Sequence, residues 1–367
     1  MKRTRAAVSL PALRDAAAAA STGAASDAAH LALSAGGSAI DAVVAGYFAA
    51  AGADEGVLLG PCAAVVANVG SGVRVFDGRS LQPGKGAPRP RGFIEEQPVP
   101  DAARVAVPRS VPMLFLLHAY GGRSSLSTLA RYGADTALDR GAKERAKVIR
   151  RVGAAGVIGL RTEGVHEALL AAANSVAGGT LTEADLDSAL PGDSDGRVLF
   201  RGDGDAAVTA CPWIEEGAGE DDTAWTVDTV VAADFWGNVA TITYAHQPRA
   251  VSLPTVELSA PRVAVPVRRG VTRVTPGAVL RSPAPIAVAR FGRELALAFG
   301  LSGAWERGQK ALFAADLDVA PLSKLVEGGA VEAALGDVAR AHRATRAVAA
   351  VRSVRATRPL VVVPGAL

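Results

Sequence analysis

Residues 40–51 (IDAVVAGYFAAA) carry a single charge, Asp41, among apolar and small side chains. As a helix this segment is apolar nearly all round, so the rest of the chain must cover most of its faces. The flanking residues support a helix. Residues 26–35 (SDAAHLALSA) read as a first helix and Gly36-Gly37 as its stop, since glycine accepts the left-handed backbone of a helix end. Ser38-Ala-Ile-Asp41 is capping-box-like, with a serine at the cap and an acid three residues on.

Beyond this hairpin, residues 59–78 read as two strands around a turn at Gly70-Ser71-Gly72, and 83–104 as a loop. Helices are expected at 109–121, 123–132, 141–152 and 162–177, with a short one from Thr182. From 196 to about 300 the pattern is that of strands. The strongest hairpin signal pairs 227–233 with 239–244 around Asp234-Phe-Trp-Gly237-Asn238. A second pairs 286–289 with 294–299 around residues 290–293. Residues 304–316 and 330–350 read as helices, and the chain closes on a strand-like PLVVVPGAL. This order suits antiparallel sheets enclosed by helices. There are no alternating strand–helix–strand units, no GxGxxG and no GxxxxGK[ST], which excludes a nucleotide-binding doubly wound fold.

Composition narrows the function classes. The 367 residues hold 39 Lys and Arg against 36 Asp and Glu, a net charge of +3, too balanced for a nucleic-acid binder. The arginines between 340 and 358 have no interleaved aromatics and read as a solvated helix face. Two cysteines, Cys62 and Cys211, exclude a disulfide scaffold and a four-cysteine zinc site, and a reduced pair is expected. No two of the five histidines stand at metalloprotease spacing. No metal or other cofactor is expected. Pro11, Arg14 and Asp15 interrupt the apolar stretch near the start before it reaches signal-peptide length, and no run approaches 18 apolar residues. The expected location is the cytoplasm, with no membrane contact. The tryptophans, all between 213 and 305, are assigned to core packing or a hairpin tip.

Several stretches, in order, resemble the γ-glutamyltranspeptidases. Residues 25–52 look like the opening of that family's large subunit, and Asp77-Gly78-Arg79 like its acidic-Gly-Arg strand end. VAVPRSVPMLFLLHAYGG (105–122) and LTEADLDSAL (181–190) resemble its VPGxVxGL and LTxxDL segments. DTVVAADFWGNVATITYA (228–245) resembles the start of its small subunit. RSPAPIAV (281–288) and FGLSG (299–303) resemble its SSMSPTIV and GSPGG elements. The resemblance implies a four-layer αββα N-terminal-nucleophile hydrolase fold, with 1–228 large-subunit-like, 229–367 small-subunit-like, and both parts in one interleaved domain. It also implies self-cleavage before a threonine and hydrolysis or transfer of γ-glutamyl amides such as glutathione. The freed α-amine, with an ordinary pKa near 8, would then serve as the base for the threonine's own hydroxyl.

The resemblance also nominates site residues. Arg79 falls where the family binds the substrate carboxylate, a task suited to the guanidinium fork. Ser282 falls at the second of a serine pair, with Arg281 at the first, and Gln247 falls where the family has a substrate-binding Asn. Gly300 and Gly303 flank the stretch that supplies the oxyanion hole. Counting from Asp234, the nucleophile position is Val227. Thr229 follows Asp228, shares the strand face of residue 227, and is the candidate nucleophile, two residues or about 6.6 Å along. Two readings follow: a threonine-dependent γ-glutamyl hydrolase or transferase, or an inactive relative that keeps the fold for binding or structure.

Overall fold

The computed structural model describes residues 13, 15–69, 72–87, 92–202, 206–213, 224–291, 295–305, 322, 330–353 and 357–363. The first part of the chain is mainly helical. After β1 (Ala17–Ala20) come α1 (Gly23–Ser34) and α2 (Ala39–Ala53), the hairpin β2 (Cys62–Ala67) and β3 (Val73–Gly78), then α3 (Ser110–Gly121), α4 (Leu126–Asp139), α5 (Lys143–Ala155), α6 (Val157–Thr162), α7 (Val165–Ala173) and α8 (Glu183–Asp187). Strands then dominate: β4 (Gly192–Asp195), β5 (Arg197–Arg201), β6 (Ala207–Ala210), β7 (Trp225–Ala233), β8 (Val239–His246), β9 (Val251–Leu253), β10 (Leu258–Ala260), β11 (Ile286–Phe291) and β12 (Leu295–Trp305). The helix α9 (Val331–Ala341) and the strands β13 (Arg346–Ser353) and β14 (Thr357–Val362) follow.

Two antiparallel sheets face each other. One runs β4-β3-β2-β8-β7, with β1 on β7; the other runs β5-β6-β11-β12-β13-β14. β12 belongs to both. Residues 295–302 pair with β13, while Gly303, Ala304 and Trp305 pair with Val227, Thr226 and Trp225 of β7. Alternation along β7 separates two cores: Val230 and Ala232 face α1 and α2, and Val227, Val231 and Ala233 face the second sheet. α9 packs on β13 and β14 and covers the second sheet. The architecture is the four-layer αββα sandwich.

The α2 helix is the buried element its sequence demands, with 14 of its residues buried. The capping box forms: the Asp41 amide donates to Ser38 Oγ at 3.2 Å and the Ser38 amide to Asp41 Oδ2 at 2.8 Å. Gly36, at φ 86°, ends the preceding helix. Small residues let α2 approach α4 to backbone contact, for a Cβ on Gly52 would lie 2.0 Å from the Gly133 carbonyl oxygen.

The structure departs from the sequence pattern in several places. The helix expected over 162–177 is shorter: Gly164, at φ 75°, precedes it, and α7 runs only from Val165 to Ala173, after a separate α6. The helix expected over 330–350 stops at Ala341, turns through Arg343 at φ 52°, and continues as β13. Arg340, Arg346 and Arg358 therefore lie on a helix and two strands, not on one helix face, and Arg355 lies outside the described residues. β1, four alanines that sequence periodicity does not single out, fills an edge position beside Val230–Ala233. Ala304 and Trp305 extend β12; residues 306–316, Gly70, Ser71, 292–294 and 1–12 lie outside the described residues. Among the described residues no helix is long and apolar enough to cross a membrane.

Candidate functional site

Thr229 sits where the two sheets fork. Along one edge of β7, residues 230–233 pair with β1 and residues 225–227 with β12. Between them, the Thr229 amide donates to Ser21 Oγ at 3.0 Å, and its carbonyl accepts the Ser21 amide at 3.0 Å. On the other edge Asp228 and Thr229 pair with Tyr244 and Thr243 of β8. The strand runs unbroken through the Asp228–Thr229 peptide. Thr229 is fully buried, and its hydroxyl donates to the Leu301 carbonyl at 3.3 Å. Val227, at the counted nucleophile position, is also fully buried and belongs to the core between the sheets. The division proposed between 228 and 229 thus falls inside a paired strand.

Gly300 lies directly against Thr229: a Cβ there would stand 2.4 Å from Thr229 Cγ2 and 2.7 Å from Oγ1. The absence of a side chain at 300 is what admits the threonine. Both Gly300 and Gly303 belong to β12 rather than to a loop. Gly300 pairs with Ile286 and Val348, and Gly303 with Val227.

Arg79 leaves the end of β3 and is buried. Its Nε and Nη2 donate to Asp77 at 3.0 and 3.1 Å, and its guanidinium lies 4.2 Å above the Trp213 ring. Arg109 closes the cluster, with Nη2 2.9 Å from Asp77 and Nε donating to the Arg79 carbonyl at 2.6 Å. Burial alone would raise the Asp77 carboxyl, but the hydrogen bonds and charges of Arg79 and Arg109 outweigh it and hold the pKa below the usual carboxylate value. Arg79 is thus engaged by its own chain through a fork that could otherwise grip a substrate carboxylate. The Ser282 segment does run beside it: Leu81 bridges Val279, and the Leu280 amide donates to the Ser80 carbonyl at 2.8 Å. Ser282 is buried. Gln247, buried as well, accepts the Arg262 amide at 2.7 Å and so holds the 262–281 segment. The structure therefore groups Thr229 with Gly300, and the Arg79 segment with Ser282.

Two groupings escape sequence reasoning. His246, at the end of β8, lies between Asp54 and Asp228, with its ring nitrogens 3.4 and 3.6 Å from their carboxylates. Burial lowers its pKa, yet the two acids reverse that effect and raise it to about 9. These residues lie 192 and 18 positions away from His246 in the chain, so spacing carries no signal for them. The other is a cavity of about 420 Å³ against the 262–281 segment, lined by apolar residues and six arginines. Here a signal exists, since the chain has no acidic residue from 258 through 293.

No family model matches the chain, and no curated protein matches it either. Solved structures do. The chain is similar to cephalosporin acylase from Bacillus halodurans at 14% identity, over 98% of this chain and 99% of that chain, with a TM-score of 0.63. It is similar to LmbA2991HD at 16% identity, over 93% and 87%, with a TM-score of 0.59. γ-Glutamyltranspeptidase from Pseudomonas nitroreducens shares 19% identity over 53% of this chain and 70% of that chain, at a TM-score of 0.45. At these identities the likeness is one of architecture, and the first two cover nearly the whole chain. With its two facing antiparallel sheets between helices, the chain has the N-terminal-nucleophile hydrolase fold.

Proposed function

We propose that this chain is a γ-glutamyltranspeptidase-like protein that keeps the fold without the N-terminal threonine chemistry, and acts as a binding protein. The carrying observation is the pairing of residues 225–228, just ahead of Thr229, with β12 and β8, and the packing of Val227 in the core at the counted nucleophile position. N-terminal threonine catalysis needs a free α-amine as base and a hydroxyl within about 3 Å of a substrate carbonyl. Here the Thr229 hydroxyl is bonded to the Leu301 carbonyl without solvent contact, and its nitrogen is bonded to Ser21 Oγ. Releasing Thr229 as a terminus would also pull residues 225–228 out of ladders on two sides, exposing Trp225 and Val227.

One observation favours the second reading, a hydrolase or transferase acting on glutathione-type γ-glutamyl amides through Thr229. Gly300, nominated for the oxyanion hole, touches that threonine. A denaturing gel and a γ-glutamyl anilide assay separate the two. The binding-protein reading expects one intact 37.2 kDa band and no anilide hydrolysis. Fragments of roughly 230 and 140 residues, the second beginning at Thr229, would instead establish self-cleavage. Val227→Thr is expected to remain intact too, because its hydroxyl would be held in a strand paired on both sides, away from the geometry needed to attack the preceding carbonyl.

A further inference from the structure

We propose that the cavity against the 262–281 segment binds a flat, uncharged aromatic molecule, held between a valine wall and the faces of arginine side chains. This site is independent of the Thr229 question, since Thr229 and Gly300 are not among its lining residues. The six lining arginines do not make it a receptor for anions. Arg262 is paired with Asp101 at 2.6 Å, Arg268 and Arg281 have partners as well, and Glu95 lies in the wall. Pairing consumes the edge of a guanidinium, where its N–H groups point. It leaves the flat faces, and these stack on aromatic rings. The chain combines the two contacts elsewhere: Arg79 donates from Nε to Asp77 at 3.0 Å while its guanidinium lies 4.2 Å above the Trp213 ring. Stacking on an arginine face therefore needs no free charge.

The volume of about 420 Å³ fits a small organic molecule. The apolar share of the wall comes from Val263, Val265 and Val267, at alternate positions of one segment, joined by Val274 and Leu280. The four valines are only half-buried. Val263 and Val265 border a small apolar cluster of Ala106, Ala264 and Leu280 that stands apart from the two main cores. A hydrocarbon ring in the cavity removes the remaining valine surface from water, which a charged or strongly hydrated ligand does not do. The wall is also held in place before any ligand arrives. Gln82 clamps Val265 on both sides, donating to its carbonyl at 3.1 Å and accepting its amide at 2.9 Å. The Ala264 amide donates to the Arg104 carbonyl at 2.8 Å. The Phe93 amide donates to the Val267 carbonyl at 2.8 Å, and its carbonyl accepts the Arg269 amide at 2.9 Å. Preorganisation of this kind lowers the ordering cost of binding.

Ligand-observed NMR titration of the full chain tests the proposal with three probes: 1-naphthalenemethanol, its saturated counterpart decahydro-1-naphthalenemethanol, and 1-naphthoate. The aromatic alcohol should bind with a dissociation constant below about 1 mM. It should bind about tenfold more tightly than the saturated alcohol, whose surface is similar but which has no ring to stack. Its affinity should hold as salt is added, since no charge on the ligand is screened. Val267→Trp and Val274→Trp fill the cavity from half-buried positions, and each should weaken binding about tenfold or more, with circular dichroism checking the fold. Absence of binding, equal binding of the saturated alcohol, or unchanged affinity in a folded filling variant would overturn the site. So would naphthoate binding far above that of the alcohol and falling with salt, which would mark a site for anions instead.

Discussion

At the scale of single residues, the chain uses charge to fix the ends and turns of its strands. Asp77 is saturated by Arg79 and Arg109, and Asp234 accepts from Ala39, Asn238 and the Asn238 side chain at 3.0, 3.0 and 2.8 Å, tying the β7–β8 turn to the start of α2. His246 between Asp54 and Asp228 has a consequence for stability. Its folded pKa of about 9 lies above the ordinary 6.5, so the folded state binds the proton more tightly than the unfolded chain does. The stabilisation is therefore complete below pH 6.5, shrinks as pH rises, and is gone above about 9. Shifts of this size correspond to about 3 kcal/mol at most, with partial exposure of Asp54 reducing it. Melting curves of the protein and of His246→Gln from pH 6 to 10 should differ most at pH 6 and converge near pH 9. A gap that stays constant over this range would show that the imidazolium contributes nothing through its charge.

At the scale of elements, glycine and alanine set how closely the helices can approach. Gly133 in α4 would place a Cβ 2.2 Å from the Phe48 carbonyl oxygen of α2, a backbone atom that cannot swing aside. Gly133→Ala should cost about 3 kcal/mol despite alanine's better helix propensity, since overpacking against backbone outweighs that gain. Urea unfolding measures this, and a loss under about 0.5 kcal/mol would mean that the two helices separate freely. The capping box at Ser38, the stop at Gly36 and the hairpin around Asp234 and Gly237-Asn238 were legible because each is a local device. β13 was not. Arg346–Ser353 is rich in alanine and valine with no strict alternation, and it becomes a strand because the slot between β12 and β14 accepts only one. The four alanines of β1 gave still less to read, as their strand conformation comes entirely from pairing with Val230–Ala233. At the candidate site, the motif order located Gly300 near Thr229. It could not reveal that Asp77 and Trp213 already engage Arg79, since those contacts depend on how distant segments fold together.

At the scale of the whole molecule, the connectivity argues against independent halves. β1, from the start of the described chain, pairs with β7; β12 spans both sheets; and Arg346 reaches back to the Ser21 carbonyl. The helical signal comes mostly from residues 23–187, whereas every tryptophan lies between 213 and 305. Circular dichroism at the helix band and tryptophan fluorescence therefore watch different parts of the chain. If the interlocking strands make one cooperative unit, both probes should trace a single urea transition with the same midpoint. Two separated midpoints would mean that the helical part and the strand-rich part unfold in turn. The shared strands β7 and β12 would then be too weak to couple the layers on either side of them.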